Sequence, residues 1–111
     1  MTLSYDDFAK INILSGTIVR AEIFDRARKP AYKVWADFGP EVGILQTSVQ
    51  VTVHYTPDAL IGRQILGVTN LGSKNIAGFE SQFLLVGCED AQGAVCLATL
   101  DPQLENGKKL F

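Results

Sequence analysis

Two stretches of strict alternation do most to limit what this chain can become. In Tyr32–Phe38, the residues Tyr32, Val34, Ala36 and Phe38 fall on one side and Lys33, Trp35 and Asp37 on the other. That is the period of a strand with one buried face. Thr17–Phe24 has the same form, with Val19, Ala21 and Ile23 predicted inward and Arg20 and Glu22 outward. Gly16, near its start, permits a bulge or a close backbone approach. Similar short runs follow at Ile44–Val49, Arg63–Thr69, Gln82–Cys88 and Ala94–Leu100, with turns such as Gly39–Gly43 and Glu89–Gly93 between them. Ser4–Asp7 fits a capping box for a short helix ending near Lys10, whose apolar side, Tyr5, Phe8 and Ile11, needs something to pack on. Helical turns are expected at Gln50–Tyr55 and Pro57–Ile61, with a break at Thr56-Pro57. An all-β chain of five or six strands, interrupted by helical turns between the third and fourth, suits a closed barrel better than a sheet with open edges. The five-stranded Greek-key barrel of the OB type carries a helix at that place.

A length of 111 residues with 47% apolar content supports one core, so residues 1–111 read as a single domain. No apolar run has the length of a membrane span, and the segment Met1–Lys10 is acidic where a secretory signal is basic. The expectation is a cytoplasmic protein with no membrane insertion. Cys88 and Cys96 flank a turn in apolar contexts and read as free buried thiols in preference to a bridge. No CxxC or Cys/His spacing points to a metal site. His54, the single histidine, has no sequence signature for a nucleophile or metal partner, and no phosphate-cradling glycine loop or nucleophile elbow is present. The reading is a non-enzyme without cofactor.

Net charge is −2, yet the run Arg26–Lys33 carries four cations and no acid. Such a run is most often a solvated loop. It can also bind a polyanion locally by releasing counterions from phosphates. A second polar segment, Asn70–Ser81, lies between two apolar strands, where binding residues tend to collect. Asn70, Lys74, Glu80 and Ser81 are harder to explain as packing. Beside a basic loop they fit recognition of a folded RNA's phosphates and 2′-hydroxyls. Trp35 shares a face with Lys33 and Asp37, so its indole is either part of a subunit interface, a stacking platform for a base, or an anchor for an apolar peptide. Phe79 reads first as core packing and second as a groove rim.

Ile13–Glu22, Ala27–Lys33, Asp37–Gly43, Tyr55–Gln64, Asn70–Ser81 and Asn106-Gly107 together resemble the tRNA-binding domain family, in order and over nearly the whole chain. Within it they are most similar to the free-standing secretion-chaperone branch. The resemblance implies an OB-type barrel working as a homodimer, with Tyr5, Phe8, Leu110 and Phe111 in the contact. It implies binding of tRNA by shape, and for this branch the holding of unfolded preproteins for the export machinery. On that reading Arg28, Lys29, Lys33, Arg63 and Lys74 supply charge, while Gln46, Ser48, Asn70 and Ser81 supply hydrogen bonds. The alternative is a peptide-holding chaperone without significant RNA binding, with Trp35, Phe38 and Phe79 lining an apolar groove. The chain departs from the family where Leu14 replaces a usual arginine. It departs again where Gly72-Ser73 and Lys74-Asn75 replace Pro-Pro and paired basic residues. These changes loosen the loop and remove one potential phosphate contact.

Overall fold

The strand β1 (Ile13–Ile23) organises the computed structural model, which describes all residues from Met1 to Phe111. It pairs antiparallel with β2 (Tyr32–Asp37) on one side and β4 (Gln64–Val68) on the other. With β3 (Ile44–Val49) and β7 (Leu84–Leu85) the sheet runs β3-β2-β1-β4-β7. Its two ends are drawn together by Gln82 N donating to the Gln46 carbonyl at 2.8 Å and the Thr47 hydroxyl donating to the Phe83 carbonyl at 2.7 Å. The result is a nearly closed barrel of the OB type. The helix α2 (Pro57–Leu60) sits between β3 and β4, capped by the Thr56 hydroxyl, and buries Leu60 completely. Two small hairpins stand on the barrel: β5 (Lys74–Ile76) with β6 (Phe79–Ser81), and β8 (Gly87–Glu89) with β9 (Val95–Leu97).

The core is built from the inward side of β2 and its neighbours: Ile18, Val34, Ala36, Phe38, Val51, Leu60 and Ile65 are almost wholly buried. Phe38 fits because two glycines flank it. A Cβ at Gly16 or at Gly67 would stand 2.7 Å from its ring, so each position is limited to glycine by contact with the aromatic edge. Phe83 packs edge-on against the same ring at 4.9 Å.

Four expectations are corrected by this geometry. β1 begins four residues earlier than Thr17, and its register shifts between Ile18 and Arg20. That bulge turns Val19 outward to 44% exposure and puts Ile18 in the core; Ile23, at the strand end, is also exposed, while Ala21 stays half-buried. The single strand expected over Gln82–Cys88 divides into β7, which pairs with β4, and β8, which pairs with β9. Gln50–Tyr55 forms turns without a helix. Both cysteines are free, as expected, but exposed instead of buried.

The helix α1 (Tyr5–Ala9) starts at Ser4, whose hydroxyl accepts from Asp7 N at 3.1 Å. It is tied to the C-terminal segment by Lys109 Nζ donating to the Ala9 carbonyl at 2.7 Å, and Leu110 N bonds the Ile13 carbonyl at 2.8 Å. Ser15, fully buried on β1, donates to the Glu105 carbonyl and accepts from Lys108 N, fixing that segment along the barrel. No helix is long and apolar enough to cross a membrane.

Candidate nucleic-acid interface

Alternation along β2 sends Lys33 and Trp35 to the outside of the barrel, and the antiparallel register sets Ser48 and Gln46 of β3 beside them. The β5–β6 hairpin folds over this face. Phe79 lies edge-on to Trp35 at 5.8 Å and to Phe24 at 5.6 Å. The Lys33 ammonium stands 5.0 Å from both the Phe24 and Phe79 rings, and the Arg20 guanidinium lies 4.3 Å from the Trp35 ring. Cations are drawn to the negative ring faces in this way. Trp35 is therefore half-buried, with its indole N–H donating to Gln46 Oε1 at 3.2 Å.

Between the basic loop, β3 and the hairpin runs a cleft in two connected parts. The larger, about 680 Å³, is lined among others by Arg28, Lys29, Ser48, Ile76 and Leu84. The smaller, about 330 Å³, shares Ser48, Ile76 and Leu84 and adds Ser73, Lys74 and Ser81. No lining residue of either part is acidic. A chain of net charge −2 thus presents a cleft with a basic rim and an apolar floor. This face, strands two and three with the loops beside them, is where OB barrels take their ligands.

The structure brings together Arg28, Lys29, Ser48, Lys74 and Ser81 around the cleft, with Lys33 on the adjoining aromatic face. It assigns other work to several residues expected to bind. Both polar groups of the Asn70 side chain are engaged, accepting from Asn12 N at 2.8 Å and donating to the Lys10 carbonyl at 2.7 Å, so it clamps the end of α1. Gln46 spends its amide N–H on the Glu80 carbonyl at 2.9 Å. Ser81 is buried and accepts from Ser48 N at 3.1 Å, helping close the barrel. Arg63 packs over Tyr55 at 5.0 Å and lines neither part of the cleft. Phe38 is corrected outright: at 1% exposure its ring belongs to the core, on the opposite side of β2 from Trp35, and cannot share a groove with Trp35 and Phe79. Tyr5 is 73% exposed and Phe111 wholly so, with Phe8 also open and Leu110 partly covered.

Sequence reading missed Arg20, Phe24, Ile76 and Leu84. Arg20 had a signal in its outward position, but the bulge at Val19 decides that it meets Trp35. Ile76 and Leu84 looked like ordinary strand residues, and only the folding back of the hairpin makes them a cleft floor.

A family model described as a putative tRNA binding domain matches residues 13–109. The chain belongs to that tRNA-binding domain family. A curated relative, the methionine–tRNA ligase of Deinococcus radiodurans, is 32% identical over 108 residues, covering 97% of this chain and 15% of the ligase. The chain thus spans only a small part of the ligases it matches. Among solved structures, the chaperone CsaA of Bacillus anthracis superposes with a TM-score of 0.94 at 39% identity, covering 100% of each chain. CsaA of Picrophilus torridus gives 0.93 at 39% identity, over 99% of this chain and 100% of that one. In this tRNA-binding domain the cleft joins basic side chains to an apolar floor.

Proposed function

We propose that this protein is a dimeric, non-catalytic tRNA-binding module that grips the RNA by shape and backbone. The observation that carries the reading is the acid-free basic rim of the cleft on the barrel's ligand face. Arg28, Lys29 and Lys74 meet phosphates there, Lys33 adds charge alongside, and the Ser48 and Ser73 hydroxyls are suited to 2′-hydroxyl or phosphate oxygens. The family supports tRNA as the polyanion. The unpartnered apolar side of α1 and the tail residues Leu110 and Phe111 lie close together, through the Lys109–Ala9 bond, and support a second copy as their cover. Two modest sites on one rigid RNA gain from effective concentration. Exposed free thiols fit a reducing compartment such as the cytoplasm.

A salt titration of tRNA binding tests the reading. Affinity should fall steeply with salt, and Lys74→Ala should weaken binding and shallow the log–log slope by about 1. Salt-independent binding, or an unchanged slope in the variant, overturns it.

A second reading is favoured by the cleft floor. Val49, Ile76, Leu84 and Val95 give it an apolar surface that an extended peptide can use, and CsaA structures are described as chaperones. On this reading the protein also holds unfolded preproteins for export, with Trp35 and Phe79 at the groove edge. It should suppress aggregation of an unfolded client in a salt-tolerant manner, and the uncharged Leu84→Ser should weaken that effect while the salt slope of tRNA binding persists.

A further inference from the structure

Away from the cleft, three groups with metal-binding chemistry converge from distant parts of the chain. A ring nitrogen of His54, a carboxylate oxygen of Asp90 and Sγ of Cys96 all lie within 4.8 Å of one another. His54 is on the turn before α2, Asp90 follows the end of β8, and Cys96 lies in β9. We propose that these residues form a site for a borderline-soft divalent cation, Zn²⁺, with water in the fourth position.

The carboxylate and the turn bearing the imidazole are already held in place. Asp90 Oδ1 accepts from Gln92 N and Ala94 N, both at 2.9 Å, which leaves Oδ2 aimed at His54 Nε2, 2.6 Å away. The turn bearing His54 is held to the same hairpin by Leu97 N donating to the Tyr55 hydroxyl at 2.9 Å. It is held to β2 by the Tyr32 hydroxyl donating to the Tyr55 carbonyl at 2.8 Å. Supports of this kind fix ligand direction in metal sites. Zinc bonds of about 2.0–2.3 Å hold tetrahedral ligand atoms roughly 3.4–3.6 Å apart. The His54–Asp90 pair therefore opens by less than about 1 Å, and the thiolate, within 4.8 Å of both, closes in by at most about 1.4 Å. A neutral imidazole, one carboxylate and one thiolate bring the charge of the site to zero. The thiol proton leaves to solvent as the cation enters, and the imidazole proton shared with Asp90 is carried on Nδ1 instead, so that Nε2 offers its lone pair and the ring stays neutral.

Cys88 faces Cys96 directly in the hairpin register and is the competing thiol. Val95 of the same hairpin lines the larger part of the cleft, so a cation here would fix one wall of the ligand groove to the barrel.

Cobalt titration of the full-length protein under reducing conditions tests the site. One Co²⁺ per chain should bind, with a thiolate-to-cobalt charge-transfer band that Zn²⁺ displaces. Cys96→Ser should abolish the band, and His54→Ala or Asp90→Asn should each weaken binding by more than about tenfold. Cys88→Ser should leave the band in place. The melting temperature should rise with Zn²⁺ in the parent and stay fixed in Cys96→Ser. No band, a band that survives Cys96→Ser, or a band that needs Cys88 and ignores His54 would each overturn the assignment. Cys96 and His54 are exposed, so these variants keep the fold.

Discussion

The two hairpins on this barrel are alike in size and differ in their most distinctive anchor. Each has three paired positions. The β5–β6 arm has an aromatic anchor, Phe79, which meets Trp35 and Phe24 edge-on with the Lys33 ammonium near its ring, while Glu80 and Ser81 add hydrogen bonds to Gln46 and Ser48. The β8–β9 arm has no such ring: it lays Val95 and Leu97 against the core and is tied by polar groups, Leu97 N to the Tyr55 hydroxyl and His54 to Asp90. An apolar anchor is insensitive to pH and supplies area, whereas a polar anchor responds to protons and metal ions. The first arm is thus suited to holding a ligand surface in shape, the second to being tuned.

The difference should show most in Phe79→Ala. Removing a half-buried ring with two aromatic neighbours should cost about 2 kcal/mol, less than the loss for a fully buried phenylalanine, and tRNA affinity should fall with it. Chemical denaturation measures the first effect. An unchanged midpoint would mean that the arm is held by its backbone alone.

Asn70, at the root of that arm, comes next. Asn70→Ala removes two hydrogen bonds to the end of α1 and should cost about 1 kcal/mol, with faster amide exchange at Ile11 and Asn12. If tRNA binding fell without loss of stability, Asn70 would be a ligand contact after all.

The turn between β5 and β6 carries Ala77 at φ 50° and Gly78 at φ 86°, the primed hairpin form that favours Asn or Gly first. Ala77→Gly should therefore stabilise the arm by about 0.5–1 kcal/mol, read from the same denaturation curves. Destabilisation would show that the methyl group packs usefully.

The smallest effect belongs to the polar arm. The hydrogen bond from His54, aided by the N–H groups of Ala94 and Gln92, holds the Asp90 carboxyl below its ordinary value of 3.8. A depressed carboxyl adds stability that is present above the ordinary value and lost as pH falls through the lowered one. His54→Ala, in metal-free buffer, should move the Asp90 titration upward when followed by carboxyl-carbon NMR. A static titration would place the cause in the turn amides alone.

Much of the barrel was legible because alternation is a local property. Tyr32–Asp37 shows its two faces residue by residue, Ile44–Val49 matches β3 at both ends, and Ser4 and Thr56 announce their helices by capping chemistry. The failures share one cause. A bulge at Val19 costs no change of composition, yet it reverses which neighbours face the core. Gln82–Cys88 looks like one strand because its residues suit a strand throughout, while its partners change from β4 to β9 along the way.

The site divides along the same line. Charge in the basic loop and on Lys74 was visible, since a cation at the surface remains a cation whatever surrounds it. Whether a polar side chain is free to bind was not visible, because that depends on partners far away in sequence. Asn70 meets Asn12 and Lys10, Ser81 meets Ser48, and both are spent on the fold. The sequence by itself determined the period of the strands, the helix starts, the sign of the loop charge and the family. Only tertiary structure decided that Phe38 lies in the core and Trp35 under an arginine, and that a histidine, an aspartate and a cysteine meet. Hydrogen bonds and metal-ligand spacing are set by distances through space, and no local pattern of residues records them.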